Sequence, residues 1–185
     1  MTWTPPPWEP PLSGTEVEHL LGSLTRLRTT FRWKAGHLDA AGLALRLPPS
    51  ALTLGGLLLH LALVEDHTTG LKLRGEELVE PWRTLGHDGS QGWEFGHAAE
   101  LAPERLYALY DDAVVRADAR VAQALAEGGL DADAAVEGDV GRHASVRRVL
   151  FDLLEEYGRH TGHADLLREA VDGVVGEDPP EDWAP

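Results

Sequence analysis

Glu156, His160 and His163 stand at positions i, i+4 and i+7 of one stretch of chain, a carboxylate and two imidazoles. If that stretch is an α-helix, advancing about 100° per residue, the three fall within roughly a 60° arc and share one face. That face borders an apolar stripe centred near Leu153, whereas Glu155 and Arg159 point well away. A carboxylate held toward a core is costly unless its charge is compensated, and a metal ion compensates it most directly. His60 repeats the pattern elsewhere, because Leu57, Leu63 and Val64 surround its direction and turn it inward. A core-facing histidine standing alone is more often a hydrogen-bonded structural residue than a ligand. Beside an inward Glu-x-x-x-His on another helix, the ligand reading gains weight: one carboxylate and two imidazoles match a three-ligand zinc site with open positions. The chain has no cysteine, so any metal must sit on nitrogen and oxygen, and no thiolate of its own can act as nucleophile.

Four helices are expected to position these residues. Thr15 with Glu18 forms a capping-box pattern, and Val17, Leu20, Leu21, Leu24, Leu27 and Phe31 recur at helical spacing until about Gly36. Thr53 is a plausible N-cap for a second helix marked by Leu57, His60, Leu61, Val64 and Leu71, ending near Gly75. Pro103 suits the first position of a third, striped by Leu106, Leu109, Tyr110, Ala113, Ala117, Val121 and Leu125 and stopped by Gly128 and Gly129. Ser145 begins the fourth, which runs to Gly173 and carries Glu156, His160 and His163. The stretch from about Gly75 to Ala102 shows no sustained period and is expected to be a long loop, of the kind that often roofs a site. The acidic link after Gly129 shows no convincing strand. The predicted fold is therefore all-α, a four-helix bundle over 15–175, preceded by an extended proline-rich arm at 1–14 and followed by a loose acidic tail at 176–185.

A formal charge of −15, from 16 basic and 31 acidic residues, argues against a nucleic-acid partner, which would need clustered Lys and Arg. The longest apolar run, around Leu54 to Val64, is interrupted by His60, and no basic-then-apolar leader opens the chain, so a cytoplasmic protein without membrane association is expected. His67 also faces inward on the second helix but lies two turns from His60, roughly 10 Å along the axis, too far to share an ion and better read as an ordinary polar residue near the bundle end or at a pocket wall. Arg168 could pair with Asp165, Glu169 or an anionic substrate, and a structural ion pair is the preferred reading. Trp33, Trp82 and Trp93 serve packing first or line a pocket; His37, His87, His97 and His143 receive no role.

Three segments, FRWKAGHLDAAGL, LPPSALTLGGLLLHLALVED and SVRRVLFDLLEEYGRHTGHADLLREAVDG, resemble the DinB/YfiT-like superfamily, and within it the group that includes mycothiol-dependent S-transferases. The resemblance spans about residues 15 to 175. It implies a four-helix bundle holding a divalent metal, with zinc first and nickel, iron or manganese as alternatives. By position it implies the ligands His60, Glu156 and His160; glutamate at the first place of the helix-four pair looks like mycothiol-dependent maleylpyruvate isomerase. His163 is then a catalytic neighbour, orienting a ligand or carrying protons, with direct ligation the lesser alternative. The implied activity is transfer of a low-molecular-weight thiol of the mycothiol type to an electrophile, both small molecules, in a protein that could be a homodimer. Two alternatives stay open: a hydrolase or isomerase using metal-bound water, and a noncatalytic metal-binding stress-response protein.

Overall fold

The computed structural model describes residues 5–78, 80–137, 141–180 and 183–184. Residues 1–4 of the proline-rich arm and residues 181, 182 and 185 of the tail thus lie outside the described residues. The fold is mostly helical, and its four long helices start and stop where local chemistry dictates. α1 (Glu16–Ala35) opens on a complete capping box: Glu18 N–H donates to Thr15 Oγ1 at 3.3 Å and Thr15 N–H to Glu18 Oε2 at 2.7 Å. A short α2 (Ala40–Ala44) is capped by Asp39, and α3 (Leu54–Glu65) by Thr53, whose Oγ1 accepts from Gly56 N–H at 2.9 Å. α4 (Trp93–His97) is a brief turn. α5 (Pro103–Gly128) begins on its proline and ends at Gly129, and α6 (Val146–Asp172) runs from the Ser145 cap to Gly173, in the left-handed region at φ 79°.

α1 pairs with α6 and α3 with α5, and α3 also packs on α6. Leu24, Phe31, Leu57, Leu58, Leu61, Leu109, Tyr110, Leu153 and Tyr157 form the central core, with a smaller cluster around Val121, Val146 and Leu150. Inside the core sits a polar knot. Arg28 donates twice to the fully buried Glu65, both at 2.7 Å, Tyr157 Oη donates to Glu65 at 2.7 Å, and Arg28 reaches Asp118 at 2.6 Å. Every charge in it has a partner, which is what a buried charge requires.

Four features differ from the sequence reading. α3 does not continue as α-helix but winds into a π-helix over Asp66–Leu73. Its i→i+5 bonding advances roughly 80–85° per residue, so the segment uses about one residue more than α winding would. Leu73, rather than Leu71, is therefore the residue buried. Second, the presumed long loop contains α4 and a following 3-10 turn, Ala98–Glu100. Third, the acidic link holds a two-stranded antiparallel ribbon, β1 (Asp133–Glu137) and β2 (His143–Ser145), too short and too polar to show alternation. Fourth, the C-terminal tail is docked: Thr30 Oγ1 donates to the Glu177 carbonyl at 3.0 Å, Arg26 pairs with Asp178 at 3.1 Å, and Pro179 is buried. Trp183 reaches the surface groove beside Arg32, Tyr110 and Val114. At the other end Trp8 is buried and Glu9 pairs with Arg26 at 3.3 Å, drawing the arm over α1.

Candidate metal centre

α3 and α6 lie side by side and bring His60, Glu156 and His160 together: one ligand atom from each lies within 4.8 Å of the other two. Glu156 Oε2 is 3.3 Å from His160 Nε2 and 3.8 Å from His60 Nε2. The two imidazoles stand edge to face, with centroids 4.7 Å apart. For donors about 2.1 Å from a tetrahedral ion, neighbouring donors are spaced about 3.4 Å, which those contacts approach.

The clearest sign of what the site could hold is an orphan. His60 Nε2 is buried and has no hydrogen-bond partner among the described residues, a state that buried polar atoms avoid. The opposite nitrogen is committed: His60 Nδ1–H donates to Glu94 Oε1 at 2.8 Å. That bond holds the ring with Nε2 turned toward Glu156 and His160, and a carboxylate behind an imidazole is the usual support of a metal-bound histidine. Burial raises the Glu94 carboxyl, but the hydrogen bond and charge of His60 outweigh it and leave the group below its ordinary value, as a carboxylate. His160 is oriented in a parallel way, its Nδ1 lying 3.3 Å from His163 Nδ1. Burial first, then the charges of His60, His163 and Arg159, pull His160 down to about 4, so near neutrality its ring is uncharged and its Nε2 is a Lewis base. Two imidazoles and a glutamate side chain, both rings backed by hydrogen bonds, fit a divalent cation with a position left open.

Glu94 is the residue that sequence reasoning missed. It belongs to α4, which docks onto α3 because Gly56 has no side chain: a Cβ there would lie 2.6 Å from Phe95 Cδ1. Phe95 in turn stacks on His60, with centroids 5.5 Å apart and planes 23° apart. The available signal was Gly56, one helical turn before His60 and the second of a glycine pair, Gly55–Gly56, ahead of three leucines. Of the other residues considered, His67 lines a surface groove beside His60, as does His87. Arg168 is structural, paired with Asp172 at 2.9 Å and donating to the Lys34 and Gly36 carbonyls at 3.1 and 2.7 Å; neither Asp165 nor Glu169 is its partner. Trp82 is buried and donates to Asp66 at 3.0 Å, Trp93 stacks on His97, and Lys34 sits over the Trp33 ring. His97 pairs with Glu100, His143 Nδ1 lies 2.7 Å from the Ala134 carbonyl, and His37 Nε2 lies 3.3 Å from that of Ala184.

No described helix is long and apolar enough to cross a membrane. Among known proteins, a family model described as mycothiol-S-transferase matches residues 19–173, most of the chain. No curated protein and no solved structure matches.

Proposed function

The chain belongs to the mycothiol-S-transferase family of the DinB/YfiT-like superfamily, and on that premise we propose that it is a zinc-dependent transferase moving a low-molecular-weight thiol, mycothiol or a close analogue, onto an electrophilic carbon. The observation that carries this reading is the orphaned His60 Nε2, held by Glu94 toward Glu156 and His160. His60, Glu156 and His160 would hold the ion. When bound there, a divalent cation lowers the pKa of a coordinated thiol, otherwise about 8.5, so that it reacts as thiolate at neutral pH.

The chain's own residues do the rest. Glu94 keeps the His60 ring turned and its proton on Nδ1. His163 Nδ1 accepts from His160 Nδ1–H and so steadies the His160 ring, while the thiol proton passes to water. The sulfur lone pair then forms the new carbon–sulfur bond, while the bond from that carbon to its leaving group breaks and the group departs with the electron pair. The protein has no cysteine, so the sulfur must arrive with a substrate.

The test is elemental analysis of purified protein followed by conjugation assays. We expect about one zinc per chain, loss of that zinc in His60→Ala and His160→Ala, weaker retention in Glu156→Ala, and a smaller weakening in His163→Ala. Metal binding unchanged by the two histidine substitutions would overturn the site. Conjugation that proceeds equally without metal would overturn the reaction.

A further inference from the structure

Two grooves open on either side of His60 and share His60, Val64 and His67 as a common wall. The first, about 280 Å³, runs between the end of α3 and α6 and is lined by Thr68, Lys72, Arg148, Asp152 and Glu155. The second, about 350 Å³, lies under the loop before α4 and is lined by Leu63, Leu78, His87 and the Gly89–Gly92 turn. A displacement between two small molecules needs both bound at once with their reacting atoms converging, and a pair of grooves meeting at one histidine provides that arrangement.

The grooves differ in chemistry. In the first, cationic and anionic groups alternate: Arg148 pairs with Asp152 at 2.7 Å, while Lys72 has no ion-pair partner among the described residues. The π winding places Lys72 there. Continued α geometry would set it about 120° from the direction of His60, whereas one extra residue of winding brings it within roughly 20–30°. In the second groove no Lys or Arg is present, and its one acid, Glu94, is spent on His60. His67 adds no charge at neutral pH, because burial, then Lys72 and His87, hold it below its ordinary value. A charged ligand entering the second groove would lose hydration with no counter-charge to replace it.

We propose that the grooves divide the two substrates: the hydrophilic thiol lies along Lys72 and Arg148, and the acceptor entering beside Leu63 and Leu78 is an uncharged, apolar electrophile. This rests on the thiol-transfer reading for the identity of the thiol. A substrate held in each groove presents its reacting end to the shared wall, where His60 stands.

Equilibrium binding to the zinc-loaded full chain tests the division without needing turnover. Mycothiol is titrated by calorimetry, and N-phenyl-1-naphthylamine, a neutral apolar fluorophore, by fluorescence. Saturating mycothiol should leave the fluorophore's Kd within twofold. Leu78→Asp should weaken the fluorophore at least fivefold and leave mycothiol within twofold. Ser90→Trp, on an exposed loop position that substitution cannot unfold by way of the core, should do the same. The double variant Lys72→Glu, Arg148→Glu should show the converse. Competition between the two ligands, absence of fluorophore binding, or either set of variants acting on the wrong ligand overturns the proposal. If the division holds and no thiol conjugation is found, the grooves stand and the transferase reading falls. If conjugation occurs with competing ligands, the reverse follows.

Discussion

A histidine can present either ring nitrogen, and at His60 a hydrogen bond across 34 residues of sequence decides which. Replacing Glu94 by alanine removes the acceptor on Nδ1 and frees the ring to turn, which is expected to weaken zinc binding by about 10–100-fold. Glu94→Gln keeps an oxygen in place and should retain more affinity than Glu94→Ala; a competition titration against a chelator distinguishes them, and equal affinities in all three proteins would refute the role. Helical periodicity turned His60, Glu156 and His160 inward, and the family resemblance singled them out from His163, which shares the face of Glu156 and His160. Glu94 was not legible, because nothing local in a glycine-rich stretch reveals that a carboxylate there meets an imidazole on α3. Arg168 illustrates the same limit: its structural role could be read, but its partner Asp172 and the backbone carbonyls of Lys34 and Gly36 could not.

Elements carry the next level of constraint. α4 sits against α3 where a Cβ at position 56 would meet the Phe95 ring, so Gly56→Ala should displace Phe95 and with it Glu94. We expect a loss of zinc affinity approaching that of Glu94→Ala, with helical content by circular dichroism unchanged; unaltered affinity would show that α4 adjusts without moving Glu94. The π-helix is held by Asp66, which accepts from Arg116 at 2.6 Å, from Arg120 at 2.7 Å and from Trp82 at 3.0 Å. Burial raises its carboxyl, but the hydrogen bonds and charges of Arg116 and Arg120 prevail and hold it below its ordinary 3.8. A folded-state value below the unfolded one stabilises the protein above the unfolded value and is lost as pH falls past 3.8 toward the folded value. Asp66→Asn should therefore cost about 3 kcal/mol near pH 7. The gap to the parent protein should narrow as denaturation is repeated below that pH, and a constant gap would refute the linkage. Long helices were legible from their caps and stripes. α4, the ribbon β1–β2 and the π winding were not, since five-residue elements show no period and a one-residue change of winding leaves the local pattern intact.

At the scale of the whole molecule, arm and tail both close on α1, which carries none of the proposed ligands. The docking of Pro179 and Trp183 was not legible, because the tail's polar composition hides contacts made through a carbonyl, a proline and one tryptophan. Deleting residues 177–185 should cost about 2 kcal/mol of apolar burial. That corresponds to a melting temperature lower by roughly 4–8 °C for a chain of this size. Zinc affinity should be unchanged, because the tail's contacts lie on α1 and α5; a parallel loss of affinity would show that the tail supports the centre. The π segment has a different reach. It converts chain length into angle: shortening Asp66–Leu73 by one residue would turn everything beyond it by about 100° while His60 stayed where it is. Ligand preference could thus be retuned by a deletion that alters no side chain of the centre, with the helix acting as a dial for the groove it borders.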